Sequence, residues 1–390
     1  DELAYLFDDA DLVAVVHHAE FADRVAEAAP GLPGLHTYLS VADGTSGVDD
    51  ALAAVGAEDY ETVLAASSPE GGFPERSGDD HYVLYTGGTT GMPKGVVWRQ
   101  EDAFFACIGG GDPTRYEGTV ERPEELLARV QDTDTPFTFL PVAPLMHAAA
   151  QWTSMSWLYA GGRVILMPGS LDPDAIWRAV GDEGVNLLVV VGDAVARPLL
   201  DAWEAGGGAD TYDTSSLMAI GSGRAPLTPA LRRRLAATFP NCVINDGFGS
   251  SETGAQGARQ GLSADDPDDG PPKFNPLDDN TLVLDDELRP VEPGSGVTGR
   301  VALRGHIPLG YHKDPEKTAQ TFVEAGGHRW VVTGDMARVE ADGTIVLLGR
   351  GSVCINTGGE KVFPEEVEAV LKAHDDVYDA GVAGGEDERW

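Results

Sequence analysis

The chain has 390 residues, 42% of them hydrophobic, enough for a large domain and part of a second. Its 64 acidic residues against 27 basic ones give a formal charge of -37, a field that repels polyanions and excludes nucleic acid and anionic membrane surfaces as partners. No basic segment backed by an apolar run opens the chain, and its longest apolar stretch, residues 187–191, is too short to cross a bilayer, so a cytoplasmic protein with no integral membrane segment is expected.

Taken in chain order, short β-rich runs alternate with amphipathic stretches. Strands are expected at 12–17, 82–85, 96–98, 164–167, 187–191 and 218–220, and helices at 21–29, 123–130, 174–180 and 229–238. Asp172, Pro173 and Asp174 mark a helix start, with proline in the first turn. Such alternation predicts an α/β fold with largely parallel strands, and the unbroken apolar run 187–191 suits a strand covered on both faces. After about residue 270 the pattern changes to short strands at 281–284, 299–304, 329–332 and 344–348, with turns at Pro293-Gly294 and Asp342-Gly343, a small β-rich subdomain. A strand at 353–356 and a helix at 364–373 close the chain, behind a boundary expected at 350–352. The acids are spread throughout, and Asp265, Asp266, Asp268 and Asp269 read as a solvated loop. Cys107, Cys242 and Cys354 lie far apart with no metal-ligand spacing, as buried free thiols of a reduced compartment do.

The strongest signal is Tyr85-Thr86-Gly87-Gly88-Thr89-Thr90-Gly91-Met92-Pro93-Lys94-Gly95. Glycines let backbone approach a phosphate, threonines add hydroxyl donors, and Lys94 adds a positive charge. It is not a Walker A loop, because Met92 and Pro93 separate Gly91 from Lys94, and a strand rather than a helix follows.

At this loop the sequence resembles the adenylate-forming superfamily of acyl-CoA synthetases, adenylation domains and luciferases, and further segments similar to that family follow in order along the chain. Pro144-Leu145-Met146-His147 resembles the segment whose histidine lies by the carboxylate pocket. Gly221 to Leu227 resembles the adenine-flanking turn, and Asp246 to Thr253 the aromatic-Gly-x-Thr-Glu segment. Thr333-Gly334-Asp335 with Gly349-Arg350 resembles the ribose-binding pair, and Gly358 to Lys361 with Pro364 to Val367 the start of a mobile lid. The wording of 98–102 and 354–359 is similar to actinobacterial fatty-acyl and steroid-side-chain CoA ligases.

This resemblance implies a large layered adenylating domain over 1–350, its N-terminal part lacking, and the start of a small α+β lid over 351–390, truncated. It also implies ATP-dependent activation of a carboxylic acid, with CoA as acceptor and Mg²⁺ as cofactor. Thr86, Gly87, Gly88, Thr89, Thr90, Gly91 and Lys94 would hold the phosphates. Glu252 would bind the metal, and Ser251, where the family has threonine, would donate to the α-phosphate. Phe248 would stack on adenine and Asp246 accept from its amino group, with Gly223, Ala225, Pro226 and Gly247 lining the slot. Asp335 would bind the ribose hydroxyls, assisted by Arg350, and Lys94, Ser251, Glu252 and His147 would serve catalysis.

Core packing rivals adenine stacking for Phe248, and a core position rivals a substrate contact for His147. Residues 148–157 would line an acyl pocket, and the lack of a basic cluster there favours a long apolar acid. Ser352 stands at the hinge. The family's catalytic lysine falls beyond residue 390, so a carrier-loading adenylation domain and a non-catalytic nucleotide-binding fragment are the alternatives. The sequence leaves the oligomeric state open.

Overall fold

The structure is a computed structural model that describes residues 2–87, 92–114, 118–131, 136–223, 225, 227–262, 271–351, 354–357, 360–372, 374, 377 and 380–385. Among them no helix is long and apolar enough to cross a membrane. The chain forms two compact units, residues 1–97 with 311–315, and 98–310 with 316–390.

In the first unit, Ala14–His18, Thr37–Val41 and Glu58–Asp59 form a parallel sheet. Val15 and His17 alternate inward, as a half-buried strand requires. Helix Ala22–Ala28 buries Ala22, Val25 and Ala28, spaced by three. Val25 packs with Val15, Leu35 and Tyr38 against Phe7 and Leu12. Helix Tyr60–Ala66 starts where the Asp59 carboxylate accepts the Thr62 N–H at 2.8 Å, a side-chain N-cap. Strands His81–Thr86 and Lys94–Arg99 lie side by side in a second sheet, with the Thr/Gly loop between them.

The second unit carries a sheet that, among the described residues, has twelve strands. From one edge run Thr281–Leu284, Gly299–Arg304, His328–Val339, Ile345–Arg350, Lys273–Pro276, Gly254–Leu262, Val243–Ser250, Ala219–Ser222, Leu187–Val190, Thr138–Pro141 and Arg163–Val164, while Phe322–Ala325 pairs with His328–Val339. From Val243–Ser250 to Arg163–Val164 the pairing is parallel; the other pairs are antiparallel. The β-rich stretch after residue 270 thus forms the antiparallel side of this sheet, joined through Lys273–Pro276. Under the parallel side, Trp177, Leu188, Leu199, Leu200, Ile220 and Ile244 build the main core.

Two expected elements change. The run at 187–191 keeps four strand residues, and only Leu188 and Val190 are buried, so one face rather than both is fully covered. The strand expected at 164–167 shrinks to Arg163–Val164: Leu166 is exposed, and Pro168 ends the run. The helix signal at 172–174 holds, with Asp172 accepting the Ala175 N–H and Pro173 opening Pro173–Glu183. The acidic cluster at 265–269 and Ser352, expected at the hinge, lie outside the described residues.

Candidate functional site

The two stems of the Thr/Gly loop are in place. Thr86 ends one strand, exposed Gly87 follows it, and Lys94 begins the next strand. Gly88, Thr89, Thr90 and Gly91 lie outside the described residues. Half-buried Lys94 points its ammonium at Asp314, with Nζ 3.1 Å from Oδ2. It also sits 5.7 Å above the centre of the Tyr311 ring.

In the second unit, strand order builds a cradle at the C-terminal ends of the parallel strands, where α/β sheets bind ligands. Strand Ala219–Ser222 runs into the turn that carries Gly223 and Ala225; Arg224 and Pro226 lie outside the described residues. The Ser222 hydroxyl ties this turn, accepting the Gly192 N–H at 2.9 Å and donating to the Ala225 carbonyl at 2.8 Å. A Cβ on Gly223 would stand 3.4 Å from the Ala149 methyl, so the turn lies against the first turn of helix Ala148–Tyr159. His147 is that helix's N-cap residue, two positions before Ala149.

Parallel register sets Asp246 opposite Ser222. Its carboxylate accepts the Leu227 N–H at 3.3 Å and lies 3.6 Å from the Arg232 guanidinium. Burial pushes the Asp246 carboxyl up to about 6, against the opposing pull of Arg232, the Leu227 N–H and Arg259. Two residues on, Phe248 stacks on Phe274 at 4.4 Å between ring centres, so one of its faces serves the core. Opposite Phe248 stands Gly257, where an added Cβ would fall 1.9 Å from the Phe274 ring. Only glycine leaves room for that ring.

Strands Val243–Ser250 and Gly254–Leu262 are joined by Ser251-Glu252-Thr253. Fully buried Thr253 pins the turn, its hydroxyl oxygen accepting the Ser250 N–H at 2.9 Å. The Glu252 N–H donates to the Ser250 hydroxyl at 3.2 Å. The carbonyl of Ser251 takes the indole N–H of buried Trp98 at 3.0 Å. The backbone is therefore fixed, while the Ser251 and Glu252 side chains stay partly exposed. Farther along the sheet, antiparallel register sets Asp335 across from Arg350, with Arg350 Nε 3.5 Å from Asp335 Oδ1. The Asp335 N–H donates to the Thr333 hydroxyl at 3.3 Å, which fixes its backbone.

Gly223, Ala225 and Asp246 are thus gathered around one turn, against the helix that His147 caps, Ser251 and Glu252 sit on the hairpin that Asp246 and Phe248 enter, and Asp335 and Arg350 form a separate cross-strand pair on the same sheet. Residues 1–312 match the family model described as AMP-binding enzyme. The chain belongs to this AMP-binding enzyme family. It is 47% identical over 390 residues to a medium/long-chain-fatty-acid–CoA/3-oxocholest-4-en-26-oate–CoA ligase of Mycolicibacterium smegmatis, a match spanning 100% of this chain and 69% of the relative. It is 45% identical over 395 residues to a 3-oxocholest-4-en-26-oate–CoA ligase of Rhodococcus rhodochrous, again over 100% of the chain and 69% of the relative. Among solved structures, the anthranilate CoA ligase AuaEII in complex with anthranoyl-AMP superposes with a TM-score of 0.74 at 22% identity, covering 99% of this chain and 68% of that one. Apo MatB from Rhodopseudomonas palustris gives 0.71 at 23%, covering 98% and 68%. At that identity the likeness carries the fold.

Sequence reasoning on this AMP-binding enzyme missed Asp314, Arg232 and Trp98. Asp314 is one acid among 64 and lies in no phosphate motif. Arg232 sits in the basic run Arg232-Arg233-Arg234, which reads as a solvated helix face, yet it is buried against Asp246. Trp98 follows the loop directly, and its position in a buried strand was the available signal.

Proposed function

We propose that this protein activates a medium- or long-chain fatty acid, or a steroid side-chain acid, as its acyl-adenylate and passes the acyl group to coenzyme A, in the cytoplasm. The observation that carries this reading is the identity of 47% along the whole chain to a ligase named for those acids. The acid's carboxylate oxygen attacks the α-phosphorus of ATP, and the bond to pyrophosphate breaks. The thiol of coenzyme A then attacks the acyl carbon, and AMP leaves with the bonding pair.

Negative charge grows on the phosphates in the first step, so pre-placed donors and cations accelerate it. Lys94 and the loop from Thr86 to Gly91 supply them at the β- and γ-phosphates, and Ser251 at the α-phosphate. The partly exposed carboxylate of Glu252, on a backbone-fixed turn, has the hard oxygen donors that suit Mg²⁺, which would offset phosphate charge when bound. Asp246, Gly223, Ala225, Pro226, Gly247 and Phe248 take adenine, Asp335 and Arg350 take ribose, and His147 lies toward the acid. Residues 351–390 begin the lid.

The test is ATP–pyrophosphate exchange across a panel of acids, followed by thioester detection with coenzyme A and, separately, with a holo carrier protein. Exchange with C8–C18 acids and thioester on coenzyme A supports the reading; a preference for short diacids, or transfer to the carrier alone, overturns it. Lys94→Ala is expected to weaken ATP binding at least tenfold, the loss of one charge-assisted contact to phosphate. Glu252→Ala should abolish Mg²⁺-dependent exchange.

A further inference from the structure

The two stems of the Thr/Gly loop are bonded to a helix that no motif covers. Helix Glu2–Asp9 carries Tyr5 and Asp9 four residues apart, hence on one face. The Tyr5 hydroxyl donates to the Pro93 carbonyl at 3.1 Å, across 88 residues of sequence. The Asp9 carboxylate accepts the Tyr85 hydroxyl at 2.6 Å, across 76 residues. Pro93 is the last residue before Lys94, and Tyr85 the last before Thr86. One helix face thus grips the loop at its way in and its way out.

The turn after this helix extends the grip. Asp11 takes the Lys313 ammonium at 2.8 Å and lies 3.6 Å from His312 Nε2, and the Lys313 ammonium also reaches the Asp8 carbonyl at 3.4 Å. The His312 N–H donates to the Gly95 carbonyl at 2.7 Å, and Asp314 holds the Lys94 ammonium. Every described contact named here lies within the first unit. Burial, then the Asp9 carboxylate, raises the Tyr85 hydroxyl above its ordinary range, so it remains a donor at any working pH.

A loop that must wrap phosphates gains affinity when its ends are fixed beforehand, because less ordering is left to binding. We propose that Tyr5, Asp9 and Tyr85 are positioning residues that fix the two stems, at Thr86 and Lys94, from which the phosphate loop meets the β- and γ-phosphates of ATP. This rests on the reading of that loop as the phosphate grip.

The experiment measures ATP and AMP dissociation constants by calorimetry for wild type, Tyr5→Phe, Asp9→Ala, Tyr85→Phe, the Asp9→Ala/Tyr85→Phe double variant and Lys94→Ala. Each clamp variant should weaken ATP about three- to tenfold, the range for one hydrogen bond, and leave AMP within twofold. The double variant should be no weaker than the worse single, since both remove one bond. Tyr5→Phe and Tyr85→Phe remove only an oxygen, so they keep the test open should Asp9→Ala fail to fold. If Lys94→Ala weakens ATP while the clamp variants bind like wild type, the clamp is refuted and the phosphate reading stands. Equal losses of ATP and AMP refute it as well, being the mark of a generally loosened fold. Wild-type ATP affinity in Lys94→Ala would overturn the loop reading and the clamp together.

Discussion

Asp246 shows how burial and neighbouring charge pull one side chain in opposite directions. Its pKa of about 6 lies above the ordinary 3.8, because desolvation outweighs Arg232 and the Leu227 N–H. The folded form therefore holds a proton that the unfolded chain has already lost between roughly pH 4 and pH 6. Stability from this group is complete below pH 4 and is lost as pH rises through 6, by on the order of 2–3 kcal/mol. Denaturant titrations from pH 4 to 7 should show wild type losing stability relative to Asp246→Asn over that window. A parallel pH dependence in both proteins would contradict the assignment. Because the ionised carboxylate is the stronger acceptor for the proposed adenine contact, adenosine, which has no phosphate to titrate there, should bind more weakly as pH falls below 6, and Asp246→Asn should lose that dependence. Asp246 and Glu252 were legible in the sequence because motif neighbours fix their spacing. The ion-pair partners were not: Arg232, beside Asp246, comes from a helix start, and Asp314, facing Lys94, from a distant turn, and only the fold brings such pairs together.

At the scale of elements, the hairpin of Val243–Ser250 and Gly254–Leu262 carries the residues proposed for adenine. Phe248 depends on Phe274 for support, and Phe274 fits only because Gly257 has no side chain. Gly257→Ala should displace that ring and cost about 1–3 kcal/mol, the range for overpacking a buried site. Thermal unfolding would read the loss, and AMP affinity should fall with it. A Gly257→Ala protein with wild-type melting and AMP binding would show that the rings relax freely. Sequence periodicity located helices Pro173–Glu183 and Pro229–Thr238 because each has a proline start and a clear apolar face. It passed over Gly192–Ala205, where Gly192 opens the helix and Pro198 lies inside it, two residue types that weaken a helical pattern. It also missed Glu2–Asp9, in which Leu3, Leu6 and Phe7 are too few to reveal a period by themselves.

For the whole molecule, charge and sheet continuity set behaviour. A formal charge of -37 repels itself, and mobile ions screen that repulsion. Raising sodium chloride from about 20 mM to about 500 mM should increase the melting temperature, since the Debye length shrinks from about 20 Å to below 5 Å. Calorimetric scans would show it, and an unchanged or lower midpoint would mean that local ion pairs, such as Arg234 with Glu204 and Asp201, outweigh the general field. The great sheet has its own weak line. Lys273–Pro276 meets each neighbour through two register pairs, Gly257 with Pro276 and Ala258 with Asn275 on one side, Lys273 with Val346 and Phe274 with Ile345 on the other. A seam so narrow is where strain would concentrate under load, so pulling the second unit apart between residues 138 and 350 should give two force peaks rather than one, with the rip between them starting at this splice.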